Sequence, residues 1–187
     1  DKALPVDVKV TYTLDGKEIK PEELAGKSGK LTVRYDYTNN DKKTVKINGK
    51  KTDIYVPYLM ATTAILDTNV YSNVEVTNGK LISDGSRQIL IGVAMPGLTK
   101  SLDLQDNEDI EIPEYVEFTA DVKDFESTTS LTVATSDIFS KLDLSDIGDA
   151  DDLQDKLDEL SDATDELVDG TAAVSYTHLT LPTIRLV

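Results

Sequence analysis

The chain has 187 residues, 19 Lys and Arg against 35 Asp and Glu, a formal net charge of −16, one histidine and no cysteine or tryptophan. That length suits one domain or two small ones, and 39% apolar with 6% aromatic residues suits a modest core. The absence of cysteine excludes disulfides and thiolate chemistry, no apolar run approaches the ~18 residues of a membrane span, and the acidity argues against nucleic acid or an anionic lipid surface as partner.

Val6, Val8, Val10, Tyr12 and Leu14 alternate with polar residues, the period-two pattern of a strand with one buried face. Asp15-Gly16 supplies a turn. Pro21 to Gly26 reads as a single helical turn with proline at its start and glycine at its end. A second strand carries Leu31, Val33, Tyr35 and Tyr37 on one face and ends in Asn39-Asn40-Asp41-Lys42. Thr44 to Ile47 and the turn Asn48-Gly49 follow. The apolar stretch from Ile54 to Leu66 is interrupted by Pro57, which lacks a ladder N–H, so an edge or a bulge is expected there.

Asn73 to Thr77, Asn78-Gly79 and Lys80 to Ser83 read as a hairpin with a two-residue turn, and Asp84-Gly85 as another turn. Gln88 to Met95 is apolar on both faces, which suits the most buried strand, and Pro96-Gly97 ends it. After an acidic loop from Asp103 to Glu114, alternation resumes at Val116, Phe118, Ala120 and Val122, and Leu131 and Val133 follow. About eight short strands without a crossover helix predict a mainly β fold, an antiparallel immunoglobulin-like β-sandwich over residues 1–136, with a closed barrel as the alternative. The missing Cys-Trp-Cys core excludes an antibody-type domain.

From residue 137 the period changes. Leu153, Leu160 and Leu167 fall seven apart, with Ala150, Leu157, Thr164 and Thr171 interleaved, so residues 137–173 predict an acidic heptad helix, the start of a coiled-coil stalk. Its expected seam is Leu153, Leu157, Leu160 and Leu167. Residues 137 to 169 hold 13 acids and two bases, a charge of −11, while residues 1–136 carry only −6. Such a helix is marginal in isolation, so self-association is expected. Val174 to Thr183 resembles the in-frame translation of a transposon-end sequencing adapter. Residues 174–187 are therefore expected to be a non-natural tail, which removes His178 from the protein's chemistry.

Chemical motifs are sparse. Asp143, Asp146, Gly148 and Asp149 lack EF-hand spacing. Gly26-Lys27-Ser28-Gly29 lacks the upstream glycine of a phosphate loop. Ser-His and Cys-His nucleophile arrangements have no partner residues, and among 35 acids no pair singles itself out for glycoside hydrolysis. Tyr55, Tyr58 and Tyr71 are candidates for a sugar-binding face, against the plainer reading of buried rings with exposed hydroxyls. No catalytic, metal or cofactor residue is assigned.

The succession Leu4-Pro5-Val6-Asp7-Val8, Leu24 to Lys30, Tyr37 to Asn40, Val74 to Lys80, Pro96-Gly97-Leu98 and Leu167-Val168-Asp169-Gly170 resembles the YhgE/Pip-like surface proteins of Gram-positive gut bacteria. That resemblance implies an exported β domain followed by a Leu-x-x-Gly heptad array leading to a membrane anchor. Only Leu167 and Gly170 fit that heptad, with Ala163 and Lys156 at the earlier glycine places. The expectation is a non-enzymatic, extracytoplasmic cell-envelope protein, a sandwich presented on a self-associating stalk, with a cell-wall or surface partner. The alternative is an extracellular glycan- or peptide-binding or adhesion module.

Overall fold

The computed structural model describes residues 4–47, 49–83, 85–102, 104–105 and 111–136. The heptad segment, its seam leucines and the tail lie outside the described residues. In chain order the elements are β1 (Val6–Leu14), β2 (Lys17–Glu18), α1 (Pro21–Leu24), β3 (Gly29–Asn39), β4 (Lys42–Ile47), β5 (Lys50–Tyr55) and β6 (Leu59–Asp67). There follow β7 (Tyr71–Thr77), β8 (Gly79–Ser83), β9 (Arg87–Ala94), α2 (Leu98–Ser101), β10 (Tyr115–Val122) and β11 (Ser130–Thr135).

The fold is mainly β and every strand pairing is antiparallel. One sheet runs β2-β1-β3-β10-β7, a second runs β11-β6-β9-β8, and β4-β5 forms a separate two-stranded sheet. The first two enclose one core, in which Leu31, Val33, Tyr35, Val116 and Phe118 from one sheet meet Met60, Ala64, Leu66 and Leu90 from the other. Each large side chain removed from water there contributes roughly 1.5–3 kcal/mol before its ordering cost. This is a β-sandwich-like arrangement.

The short elements follow local chemistry. Asp15 and Gly16 both take positive φ (50° and 78°), the turn between β1 and β2. Asp15 also accepts the Lys30 N–H at 2.9 Å, which closes that turn on β3. Pro57 falls between β5 and β6, where Val56 to Tyr58 carry the chain from the small sheet into the sandwich. β9 is central, and Ile89, Leu90 and Ile91 are all buried although they alternate in direction, so both faces are covered.

Two expectations require correction. The Asn73–Ser83 segment is not a hairpin: β7 pairs with β10 and β8 pairs with β9, so Asn78 marks a corner where the chain changes sheets. Asn78 sits at φ 60°, its side-chain amide donates to the Tyr115 carbonyl at 2.8 Å, and its carbonyl accepts the Val93 N–H at 2.8 Å. A turn residue bonded to both sheets holds the two strands apart rather than folding one back on the other. The alternation in β11 also faces the opposite way from the core: Thr132 points inward to Thr62, while Leu131 and Val133 are 62% and 51% exposed.

Candidate functional site

The three tyrosines singled out from sequence do not share a face. Tyr71, on β7, is buried in the core, its ring 6.1 Å from Phe125 in an edge contact and its hydroxyl donating to the Glu126 carbonyl at 2.9 Å. Tyr58 lies in the connector before β6, its hydroxyl donating to Asp41 at 3.2 Å. Tyr55 closes β5, with its ring over Gly97, where an added Cβ would come within 3.0 Å. A sugar-binding face built from all three is therefore not formed, because β5 and β7 belong to different sheets.

One end of the sandwich instead gathers a different aromatic set. Tyr12, Tyr35, Tyr71, Phe118 and Phe125, with Ser127, Thr128 and Ser130, line a cavity of about 70 Å³. Burial raises the phenol pKa of Tyr12, Tyr35 and Tyr71, the last to about 12. These hydroxyls therefore stay protonated at neutral pH and serve as hydrogen-bond donors rather than bases. The volume suits one or two waters at about 30 Å³ each and is too small for a sugar. Deeper in the core the Tyr37 hydroxyl meets Thr62 at 2.6 Å, and Thr62 meets Thr132 at 2.7 Å, a polar chain across β3, β6 and β11.

The most concentrated surface chemistry lies on the β4–β5 sheet. Positions 42 to 52 hold Lys42, Lys43, Lys46, Lys50 and Lys51 and no acid. In the ladder, Lys42 faces Tyr55, Thr44 faces Asp53 and Lys46 faces Lys51, so these six residues share one face. Lys42 Nζ lies 2.9 Å from Asp53, and the Thr44 hydroxyl donates to the same carboxylate at 2.7 Å. Those two hydrogen bonds hold the Asp53 carboxyl below its ordinary range, with Lys100 adding a weaker pull, and Asp53 in turn raises Lys42. Lys100, on α2, reaches the same face with its ammonium 5.7 Å from the Tyr55 ring centre.

The base of this sheet is fastened to the sandwich. The buried Asn39 amide donates to the carbonyls of Val56 at 2.8 Å and Pro96 at 3.1 Å, and its oxygen accepts the Asp41 N–H at 3.0 Å. Val56 N–H donates to the Asp41 carbonyl at 2.8 Å, and Tyr55 N–H to the Ser101 hydroxyl at 2.9 Å. Averaged over residues 1–136, the charge of −6 conceals this surface. The local run of lysines flanking Asn48-Gly49 was the available signal.

Among the described residues no group of three or more His, Asp or Glu is placed to hold a metal ion, and no helix is long and apolar enough to cross a membrane. The seam leucines Leu153, Leu157, Leu160 and Leu167 lie outside the described residues. Comparison with protein-family models, curated proteins and solved structures finds no match for this chain.

Proposed function

We propose that this chain is a non-enzymatic, extracytoplasmic cell-envelope protein of a Gram-positive bacterium, an immunoglobulin-like β-sandwich presented on a self-associating helical stalk. The observation that carries this reading is the succession of two sequence patterns in one chain, period-two alternation followed by a leucine heptad. An antiparallel sandwich has its last described strand ending at Thr135, and an acidic run of charge −11 begins two residues later at Asp137, with leucines seven apart from Leu153 to Leu167. The work of such a protein is spacing and presentation, with Leu153, Leu157, Leu160 and Leu167 forming the seam.

Sedimentation of the full chain tests the stalk. Self-association that weakens at least tenfold in Leu160→Asp/Leu167→Asp, since a charge at a seam position is desolvated without a partner, supports it. Association unchanged by that pair of substitutions overturns it. Protease accessibility on intact cells tests the location: digestion of the sandwich from outside is expected, and full protection counts against export.

The binding-module reading has one observation in its favour, the lysine-rich face of β4–β5, and that face carries a more specific inference.

A further inference from the structure

We propose that the β4–β5 face formed by Lys42, Lys46, Lys51 and Lys100 binds a flexible linear phosphodiester polymer that carries no bases, the chemistry of polyol-phosphate chains. The proposal deepens the envelope reading by naming a partner class, and depends on that reading only for where such a polymer is encountered.

A two-stranded hairpin is marginal in water, and like charges directly opposite each other in a ladder weaken it further. Lys46 and Lys51 are such a cross-strand pair, both are exposed, and neither forms an ion pair among the described residues. A chain with 35 acids has ample means to place a carboxylate opposite one of them. An anion bridging the two ammoniums relieves the repulsion.

Lys42 and Lys46 are four residues apart on one strand, about 14 Å along it, and Lys51 and Lys100 widen the row. Asp53 neutralises one of the four ammoniums, which leaves the face at +3. A row of this length is longer than a single phosphate and matches a chain of them.

Segment 42–55 contains no arginine, so the surface offers mobile point charges instead of the rigid fork that reads a fixed phosphate geometry. Its one aromatic ring, Tyr55, is already packed over Gly97. Single-stranded nucleic-acid binders stack successive bases on several open rings. Here bases gain nothing, and a polymer without them loses nothing.

The test is titration of the full 187-residue chain with poly(glycerol phosphate). Saturable binding is expected, weakening about 20-fold between roughly 50 and 200 mM salt, from a slope of about −0.7 per neutralised phosphate over the net charge of three. Lys46→Glu/Lys51→Glu should abolish it. Lys46→Glu alone should weaken binding at least tenfold while leaving the thermal midpoint unchanged or higher, because it turns a like-charge pair into an opposite-charge pair. That combination separates lost binding from lost folding. Lys17→Glu/Lys20→Glu, on another edge of the sandwich, should bind like the parent chain.

Binding that survives the Lys46/Lys51 reversal, or that falls equally with the Lys17/Lys20 control, overturns the proposal. So does tighter binding of a single-stranded oligonucleotide of equal phosphate count. The assay uses purified protein and reads the surface alone, so it can fail while the protease test of export succeeds, and the reverse.

Discussion

Asn39 shows how much one side chain can organise here. It is 8% exposed, and its amide and carbonyl together join three backbone segments, at Asp41, Val56 and Pro96. In sequence it stands in an Asn-Asn-Asp run that reads as a turn, and nothing local identifies its distant partners. Asn39→Ala leaves those backbone groups without their partner and is expected to destabilise by about 2–3 kcal/mol in urea denaturation. A loss below about 0.5 kcal/mol would mean that the loops hold their geometry without it.

Tyr37 adds a pH signature at the same scale. Desolvation raises its phenol to about 12, as it does for Tyr71, against about 10 in the unfolded chain. The folded state thus favours the protonated phenol. That contribution is complete below pH 10 and is lost as pH rises from 10 through 12, on the order of 2 kcal/mol for each tyrosine. Tyr37→Phe removes the bond to Thr62 and should cost about 1 kcal/mol at neutral pH, yet flatten the fall in stability between pH 10 and 12. Denaturant midpoints measured across that range check both parts.

Among the elements, β9 places Gly92 on its inner face, opposite Val116 of β10. A Cβ there would lie 2.2 Å from Val116 Cγ1, so the missing side chain sets how closely the two sheets approach. Gly92→Ala is expected to cost about 1–3 kcal/mol by overpacking, and Val116→Ala in the same chain should recover part of it. Additive losses in the double variant, measured by denaturant unfolding, would contradict that contact.

Element existence was legible from period two and from punctuation by Asp15-Gly16, Pro57 and Pro96-Gly97, because strand alternation and the missing proline N–H act within a few residues. Element assignment was not. Asn78-Gly79 has the composition of a hairpin turn, yet it joins strands of two sheets, a choice made by the ladders β7 forms with β10 and β8 with β9. Val8 and Val10 alternate as a core face should, yet remain 42% and 37% exposed. They stand on β1, next to the edge of the five-stranded sheet, where the opposite layer covers less.

For the whole molecule, charge is distributed by segment. A basic β4–β5 sheet sits within a mildly acidic sandwich of charge −6 over residues 1–136, and the strongly acidic heptad follows. Screening limits exposed charges to about 10 Å at 0.1 M salt, so a polyanion approaching the lysines responds to that face more than to the net −16. The global charge argued against anionic partners, and the local arrangement argues for one. Self-association through Leu160 and Leu167 belongs to this scale as well, and sedimentation of the full chain decides it.

By itself the sequence determined a mainly β chain with strands broken at particular prolines and glycines, a β9 apolar on both faces, and a change of period and charge near residue 137. All of these depend on neighbours a few positions apart. Only the tertiary structure decided which sheet each strand joins, that Tyr55, Tyr58 and Tyr71 part company, that Asn39 ties three segments, and that Lys46 stands opposite Lys51 with Lys100 brought alongside. Those depend on pairings between residues distant in the chain, where alternation specifies a face but not the partner that covers it.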